Sequence, residues 1–373
     1  MQNYQVSLLK RMLETYSPSG SENELSALLL NELEANGLRA RIDGVGNVIG
    51  EAGQEGPRIL LCGHMDTVPG RIPVVEKDGF IYGRGAVDAK SSLAAMILGC
   101  KLAKQKASFP FRATVAGVVE EETSSEGMKE VISSKSSYDL AVFGEPSGTS
   151  NIIIGYKGSL HLQITCLAPG GHSSSPWLAK NTLEEAFEFW NHLKQVLLEN
   201  DLASKFSALT GCLTDARTSP GGNSIPSRTT LEVDLRTPPG IDPGGIVRRV
   251  EEFKERYVGD KRGLQFTILF GGETKPYLGG HDTLGVRAFR YAIRRVVGGE
   301  VLLVRKTGTS DMNLLSEVYR LPMVAYGPGD SSLDHTDQER IQLSDYLKSI
   351  DVYATAIERF AALAAQPLAV VNP

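Results

Sequence analysis

Histidine is scarce in this chain, with 6 residues among 373. Any metal or acid–base chemistry must therefore rely on a small number of imidazole groups, each of which can be considered in turn. Cysteine is also sparse, and its 4 residues are widely separated, with no CxxC pair. This spacing argues against the disulfide framework of a small secreted protein and predicts a reducing, cytoplasmic location.

The sequence also lacks an excess of positive charge and any long apolar run. It has 39 Lys and Arg against 44 Asp and Glu, a formal net charge of -5. That balance argues against a nucleic-acid-binding protein, because phosphate contacts need a basic surface. No apolar run approaches the roughly 20 residues of a membrane span, and the N-terminus lacks the apolar stretch of a signal peptide. What is present is a 41% hydrophobic fraction over a length that predicts about two domains.

Alternating helices and strands are predicted for the first third of the chain. Short apolar runs at 58–62, 112–119 and 140–143 have the character of buried strands, and a helical stripe covers 89–104. Ligands in such α/β layouts bind at the carboxyl ends of the strands. The polar residues that follow these strands are therefore the first candidates for a site: His64, Glu120–Glu122 and Glu145.

The middle third has a different periodicity. Apolar and polar residues alternate at 160–166 and 229–236, which indicates half-buried strands, and amphipathic helical stretches follow them. The resulting β-α-β-β-α-β-like order predicts a small α+β domain at 157–270. This domain would be inserted into a first domain made of 1–156 and 271–373.

The polar residues near the strand ends have both functional and ordinary interpretations. His64 and Asp66 lie two residues apart in an extended chain and so point to the same side, where one can bind a metal and the other can orient it. A turn with a solvated aspartate is the alternative. Asp88 lies in a Gly-rich loop that lacks the third glycine of a dinucleotide-binding motif. The adjacent carboxylates Glu120–Glu122 repel one another unless a cation offsets them, although a solvated acidic loop would also explain the run.

Together these residues form a ligand set without a thiolate. Cys62 lies within an apolar strand, where packing is the simpler explanation. Imidazole and carboxylate groups suit zinc or a similar divalent ion. Two ions bridged by one carboxylate would use all of the candidates and leave one glutamate as a base. The candidates are His64, Asp88, Glu121, Glu122, Glu145 and His335.

Eight segments carry a more specific signal. They are GHMDTVP (63–69), GRGAVDAK (83–90), EEET (120–123), GEP (144–146), GGHSSSP (170–176), NSIPS (223–227), GTSD (308–311) and the segment around His335. In this order they resemble the zinc aminoacylase/carboxypeptidase superfamily, which includes acetylornithine deacetylase and succinyl-diaminopimelate desuccinylase. The resemblance covers nearly the whole chain. It implies a mixed-sheet α/β zinc-peptidase catalytic domain with helices on both faces, interrupted by a smaller ferredoxin-like α+β lid and dimerisation domain.

The resemblance also implies a role for each candidate ligand. His64 and Glu145 would bind one zinc ion, and Glu122 and His335 would bind the second. Asp88 would bridge the two ions, and the peptide bond that follows it is expected to be cis. Co²⁺ is the expected substitute for zinc.

Further roles follow from the same resemblance. Glu121 would be the general base, and Asp66 would hold His64 in its tautomer. His172, in the lid domain, would polarise the scissile carbonyl across a dimer interface. The positions that would grip the substrate are Lys157, Ser159, Asn223, Arg236 and Thr309.

The run of three glutamates allows two registers for the base and the ligand. Glu121 and Glu122 are preferred because the family pattern has one acidic residue ahead of the pair. Glu120 and Glu121 are the alternative. The helix after Asp88 also departs from the family, because Lys90 is followed by serine where glycine is more usual.

One branch of the superfamily matches best, through YGRGAVDAK (82–90), KTGTSDMN (306–313) and YGPGDSSLDH (326–335). That branch releases lysine or ornithine from a LysW-type amino-group carrier protein, in lysine or arginine biosynthesis. Its scissile bond joins the side chain of the carrier's C-terminal glutamate to the α-amino group of the amino acid. The implied partners are a small acidic carrier protein as substrate and a second copy of the chain in a homodimer.

Three other functions remain open from the sequence. An N-acetylornithine deacetylase or succinyl-diaminopimelate desuccinylase would use the same metal site, and so would a dipeptidase or carboxypeptidase. A non-catalytic amino-acid-binding or carrier-binding protein is the alternative of another class. Loss of a ligand or of the base would indicate that last function, and none is lost here.

Overall fold

The computed structural model describes residues 2–198, 205–219, 222–259, 261 and 263–366. The chain divides into two compact units. The first is drawn from Met1–Gly155, Gly279–Arg305 and Ser310–Pro373, and the second from Tyr156–Leu278 and Lys306–Thr309. The second unit thus interrupts the first in sequence, and it runs past the predicted 157–270 to Leu278 and includes Lys306–Thr309. Its role as a lid and dimerisation domain stays a prediction.

The first part of unit one alternates helices with short strands. Its helices are α1 (Gln2–Glu14), α2 (Asn23–Ala35), α3 (Lys90–Lys106) and α4 (Glu126–Ser133). Its strands are β1 (Arg39–Ile42), β2 (Val48–Ala52), β3 (Arg58–His64), β4 (Val75–Lys77), β5 (Phe80–Tyr82), β6 (Arg112–Val118), β7 (Leu140–Phe143) and β8 (Asn151–Tyr156).

Unit two has the β-α-β-β-α-β order that the sequence predicts, with short additions. Its elements are β9 (Gly158–Leu167), β10 (Gly171–His172), a 3-10 turn (Pro176–Leu178), α5 (Thr182–Leu197), β11 (Thr210–Thr218), β12 (Ser224–Ile225), β13 (Arg228–Thr237), α6 (Pro243–Gly259), β14 (Gln265–Thr274) and β15 (Tyr277–Leu278). Strands β11, β13, β9 and β14 form an antiparallel sheet in that order. Buried residues alternate along β9 and β13, so one face of the sheet is apolar. Helices α5 and α6 cover that face, and Phe189 of α5 stacks on Phe266 of β14.

The last part of the chain completes unit one. Its elements are α7 (Leu284–Val296), β16 (Leu302–Lys306), α8 (Asp311–Val318), β17 (Met323–Ala325), β18 (Arg340–Gln342) and α9 (Leu343–Ala364). Helix α9 packs against α3 and α7, and α4 packs against α8. None of the helices in the described part of the chain is long and apolar enough to cross a membrane.

The sheet of unit one is mixed, as predicted. Its strand order runs β1-β2-β6-β3-β7-β17-β8, with β16 beside β8. Strands β6, β3, β7 and β17 are parallel, whereas β1, β2 and β8 are antiparallel to their neighbours. Ile59–His64 of β3 are all buried although successive residues point to opposite faces, so both faces of the sheet are covered. The carboxyl ends of β6, β3 and β7 therefore lie side by side, and the polar residues that follow them are brought together.

Candidate metal centre

His64 ends the central strand β3, and its side chain is almost fully buried. Its Nδ1 donates to the backbone oxygen of Asp66 at 2.9 Å. Because Nδ1 carries the proton in this arrangement, the lone pair of Nε2 is left to bind a metal. The Asp66 carboxylate is farther from Nδ1, at 3.4 Å. The backbone oxygen of Asp66 is thus nearer to Nδ1 than its carboxylate is, and the role of Asp66 in holding the tautomer of His64 stays a prediction.

The buried carboxylate of Asp66 organises the loop of glutamates. It accepts hydrogen bonds from the Ser19 hydroxyl at 2.7 Å and from the backbone N–H groups of Glu121 and Glu122, each at 3.1 Å. Burial acts to raise the pKa of Asp66, but the interactions with His64, Ser19 and Glu122 lower it overall. Asp66 therefore connects the end of β3 to the loop that follows β6.

Asp88 lies between two imidazole groups. Its Oδ1 is 3.2 Å from Nε2 of His64, and its Oδ2 is 3.2 Å from Nε2 of His335. The Asp88–Ala89 peptide bond is cis, as expected. Burial acts to raise the pKa of Asp88, but its interactions with the imidazoles of His335 and His64 hold it below its usual value. A carboxylate whose two oxygens face different imidazoles has the arrangement of a bridging ligand.

Glu122 completes the cluster. Its Oε1 is 3.0 Å from Nε2 of His335, and the hydrogen bonds with Asp88 and Glu122 raise the pKa of His335 to about 10. One ligand atom from each of His64, Asp88 and Glu122 lies within 4.8 Å of the others. Such a set of nitrogen and oxygen donors fits a zinc-like divalent ion.

Two other predicted carboxylates lie outside that group of three. Burial raises the pKa of Glu121, and the charge of Glu145 raises it further. Burial likewise raises the pKa of Glu145, with a further contribution from the charge of Asp88. Carboxylates this close together repel one another unless protons or cations offset the charge, so the electrostatics favour a bound cation.

The structure also bears on the register of the three glutamates. The carboxylate of Glu120 accepts a hydrogen bond from the Ser124 hydroxyl, and its backbone lies in the left-handed region with φ of 57°. Glu122, not Glu120, meets the imidazole of His335. The geometry therefore favours Glu121 and Glu122 as the base and ligand pair.

Asp311 is a residue of this region that the sequence analysis did not select, although it ends the GTSD motif. It is the first residue of α8 and is 2% exposed. Among the described residues, neither oxygen of its carboxylate has a partner at hydrogen-bond distance and angle, although the Ser125 side chain acts to lower its pKa. Burial raises its pKa to about 7, and its charge contributes to the raised pKa of Glu121 and Glu145.

Glu339 is a second residue that was missed. It is 1% exposed and accepts from the backbone N–H groups of Val87 at 2.9 Å and Asp88 at 3.0 Å. Its other oxygen pairs with the buried guanidinium of Arg84 at 3.1 Å. Glu339 thereby fixes the turn that presents Asp88. Arg84 within GRGAVDAK was a signal for this contact, whereas no pattern marked Glu339.

His172 belongs to unit two, on the two-stranded ribbon of β10 and β12. Its ring is exposed, and Nδ1 accepts a hydrogen bond from the backbone N–H of Ser174 at 3.1 Å. Because Nδ1 is the acceptor, Nε2 carries the proton of the neutral ring and can donate to a carbonyl oxygen. The backbone oxygen of Asn223 accepts from Ser173 N–H at 2.9 Å, so Asn223 adjoins the His172 loop.

The remaining predicted substrate-binding residues gather at one end of the sheet of unit two. Arg236 Nη1 donates to Thr309 Oγ1 at 3.2 Å, and Ser159 is the cross-strand neighbour of Arg236 on β9. On the other side Thr210 is its neighbour on β11 and accepts from Lys157 Nζ at 3.0 Å. Burial lowers the pKa of Lys157. Their role in binding substrate stays a prediction.

Imidazole and carboxylate groups cluster at the carboxyl ends of the parallel strands of unit one. This arrangement is typical of the catalytic domain of a metal-dependent hydrolase. Comparison with known proteins agrees with that class. The chain belongs to peptidase family M20/M25/M40, whose sequence model matches residues 60–359.

Individual relatives cover nearly the whole chain. A protein of Pyrococcus furiosus is 37% identical over 353 residues, which are 94% of this chain and 96% of that protein. A Deinococcus radiodurans protein named [LysW]-lysine hydrolase is 31% identical over 358 residues, again 94% and 96% of the two chains. The P. furiosus protein is named a [LysW]-lysine/[LysW]-ornithine hydrolase with a provisional qualifier.

The fold has close structural counterparts as well. A metallo-carboxypeptidase of the M20 family from Sulfolobus solfataricus superimposes with a TM-score of 0.81 at 20% identity, covering 96% of this chain and 99% of that one. These comparisons confirm the predicted superfamily, the α/β fold class and the assignment as a hydrolase.

Proposed function

We propose that this chain is a di-zinc amidohydrolase that releases lysine or ornithine from a LysW-type amino-group carrier protein. The names of the full-length relatives support the substrate. The donor set of unit one supports the metal chemistry. A cytoplasmic location and a homodimer are further parts of the proposal, and a small acidic carrier protein is its substrate.

The contacts of Asp88 carry the two-metal assignment. Its two oxygens each lie 3.2 Å from the Nε2 of a different histidine. His64 with Glu145 would hold one zinc ion, and His335 with Glu122 would hold the other. The carboxylate of Asp311, which has no partner at hydrogen-bond distance and angle among the described residues, adds to the excess of buried negative charge that a pair of cations would offset. Nitrogen and oxygen donors without thiolate also accept Co²⁺, which would substitute for zinc.

Divalent ions bound here would supply a Lewis acid and lower the pKa of a water molecule towards neutrality. Glu121 is the residue that takes and returns the proton. Its backbone N–H is held by Asp66, while among the described residues its carboxylate has no hydrogen-bond partner. The backbone of Glu121 is therefore held in place, while its carboxylate is available for proton transfer to the leaving amine.

His172 is proposed to polarise the amide carbonyl. The hydrogen bond from Ser174 leaves Nε2–H as a donor, which matches the need of a carbonyl oxygen that gains negative charge. We propose that this group comes from the second subunit of the homodimer.

A hydrolysis panel tests the proposed function. The holoenzyme would be assayed on carrier–lysine and carrier–ornithine conjugates, N-acetylornithine, succinyl-diaminopimelate and simple dipeptides. Release of lysine or ornithine from the conjugates, at a kcat/KM well above that of every small substrate, is the expected result. Turnover of the small acylated substrates alone would refute the carrier-protein assignment and leave a deacylase or desuccinylase.

A further inference from the structure

An exposed face of α7 is built almost entirely of arginine. Residues 287, 290, 291, 294 and 295 follow the i, i+3, i+4, i+7, i+8 spacing of one helical face. Four of them are arginines and the fifth is Tyr291. The opposite face of α7 is buried against α9, so this face is the one left to solvent.

Helix α9 extends the same positive surface. The guanidinium of Arg359 lies 4.9 Å from the centre of the Tyr291 ring, in a cation–π contact. The surface lines an open groove of about 490 Å³, in which Asp282 is the acidic residue. We call this surface the arginine strip: Arg287, Arg290, Arg294, Arg295 and Arg359.

The arginine strip has little internal charge compensation. Arg290 approaches Asp282 at 3.9 Å, and among the described residues no carboxylate pairs with the other four guanidinium groups. Like charges at helical spacing oppose helix stability. The C-terminal dipole of α7 favours Arg294 and Arg295, but Arg287 lies near the other end of the helix. Helix stability alone therefore does not explain the strip.

The strip is connected to β16 through His281. Arg290 Nη2 donates to the backbone oxygen of His281 at 3.5 Å, and Arg305 Nη2 lies 3.2 Å from the His281 ring nitrogen. Arg305 is on β16, which precedes the buried Asp311 by a few residues. A polypeptide lying on the strip would thus be next to His281 and Arg305.

We propose that the arginine strip docks an acidic polypeptide surface, namely that of the carrier protein, an assignment that rests on the proposed function. Guanidinium groups bind carboxylates in a bidentate manner, and arginine and tyrosine are the residues most often found at the centres of protein interfaces. The chain as a whole carries a net charge of -5. A local positive surface on an acidic protein steers an acidic partner to one place.

Charge reversal of the strip tests the proposal. The variant is Arg287→Glu/Arg294→Glu, and the control is Arg256→Glu/Arg320→Glu, which changes the net charge equally at exposed arginines outside the strip. For the strip variant, kcat/KM on the carrier–lysine conjugate should fall at least about tenfold at low salt, through KM, and the loss should shrink as salt screens the contact. Turnover of a small acylated substrate and thermal stability should match the control. Equal losses in the two variants, or no loss in either, would overturn the proposal.

A binding measurement separates this proposal from the proposed function. Fluorescence anisotropy of labelled poly-L-glutamate should show binding to the wild-type holoenzyme and to the control, and loss of binding in the strip variant. If the conjugate is not hydrolysed at all, the proposed function fails while this readout still supports an acidic-polypeptide surface. Absence of polyglutamate binding to the wild type would refute the strip as a docking surface. Tighter binding of a DNA duplex than of polyglutamate, lost in the strip variant, would also refute it.

Discussion

The two units arrange their polar side chains in opposite ways. In unit one, charged groups face one another in a mostly buried cluster, as in the 3.2 Å contact of Asp88 with the buried His64, although His335 on the other side of Asp88 is about half exposed. In unit two, the polar residues lie on the half-exposed face of an antiparallel sheet and have ordinary polar partners, as when Arg236 donates to the hydroxyl of Thr309. The first arrangement needs a cation to offset its charge, and the second is satisfied without one.

This difference separates reaction chemistry from substrate positioning. Substitutions in unit one should change metal binding, proton transfer or the stability of the metal-free protein. Substitutions in unit two should change catalysis without changing metal content. Four substitutions test that separation, and they are given in order of decreasing effect.

The largest effect is expected for Glu121→Gln. Removal of the group that takes and returns the proton should lower kcat by about 10²- to 10⁴-fold. Zinc content, measured by plasma mass spectrometry, and the melting temperature should stay close to wild type because Glu121 lies outside the three-residue ligand group. A variant that keeps its metal and turns over at near wild-type rate would disprove the role as base.

The next largest effect is expected for His172→Ala. Loss of the Nε2–H donor should lower kcat by about 10²- to 10³-fold, with metal content and stability unchanged because the ring is exposed. Mixing this variant with Glu121→Gln should restore part of the activity, since one site of the mixed dimer would then contain both groups. A confirmed mixed dimer that stays inactive would show that His172 does not act across the interface.

A smaller effect is expected for Asp66→Asn. The amide group offers one acceptor oxygen where the carboxylate meets three donors, so part of the loop from Glu121 to Glu122 loses its anchor. Affinity for Zn²⁺ should fall about 10- to 100-fold in a chelator competition, and unfolding free energy should fall by about 1–3 kcal/mol.

The matched control for this variant is Glu32→Gln. Glu32 is also buried and accepts from the Tyr4 hydroxyl and Arg11, each at 2.6 Å, outside the candidate centre. It should lose stability and keep its zinc affinity. Equal zinc affinities for Asp66→Asn and wild type would show that the loop does not depend on Asp66.

The smallest effect is expected for Asp311→Asn, which should raise the stability of the metal-free protein where Asp66→Asn lowers stability. Removing a buried charge that has no hydrogen-bond partner among the described residues should stabilise the metal-free protein by about 1 kcal/mol. The same change should weaken Zn²⁺ binding by about tenfold, because one negative charge near the ions is lost. Urea unfolding of the metal-free protein and calorimetric titration with Zn²⁺ measure the two changes. A loss of stability together with unchanged affinity would mean that Asp311 has a structural role only.

Much of the fold could be predicted because the sequence contains the hydrophobic periodicity of its strands and helices. The alternation along β9 and β13 and the apolar runs of β3, β6 and β7 all match observed strands. The candidate ligands could be predicted because each follows such a strand or a glycine-rich turn. The residues that hold these ligands in place could not be predicted. Glu339, for example, accepts hydrogen bonds from Val87 and Asp88, about 250 positions away in the chain.

The family and the kinds of element could be read from the sequence alone, and the metal-ligand chemistry could be predicted from it, because local spacing, residue type and the scarcity of histidine all limit the choice. Three of the 6 histidines carry the proposed chemistry. Three features required the folded structure: which oxygen of Asp88 faces which imidazole, that Glu122 and not Glu120 meets His335, and that buried Asp311 has no partner at hydrogen-bond distance and angle among the described residues. Those outcomes depend on contacts between distant segments and on the loss of water around charged groups. A local sequence pattern predicts neither of them.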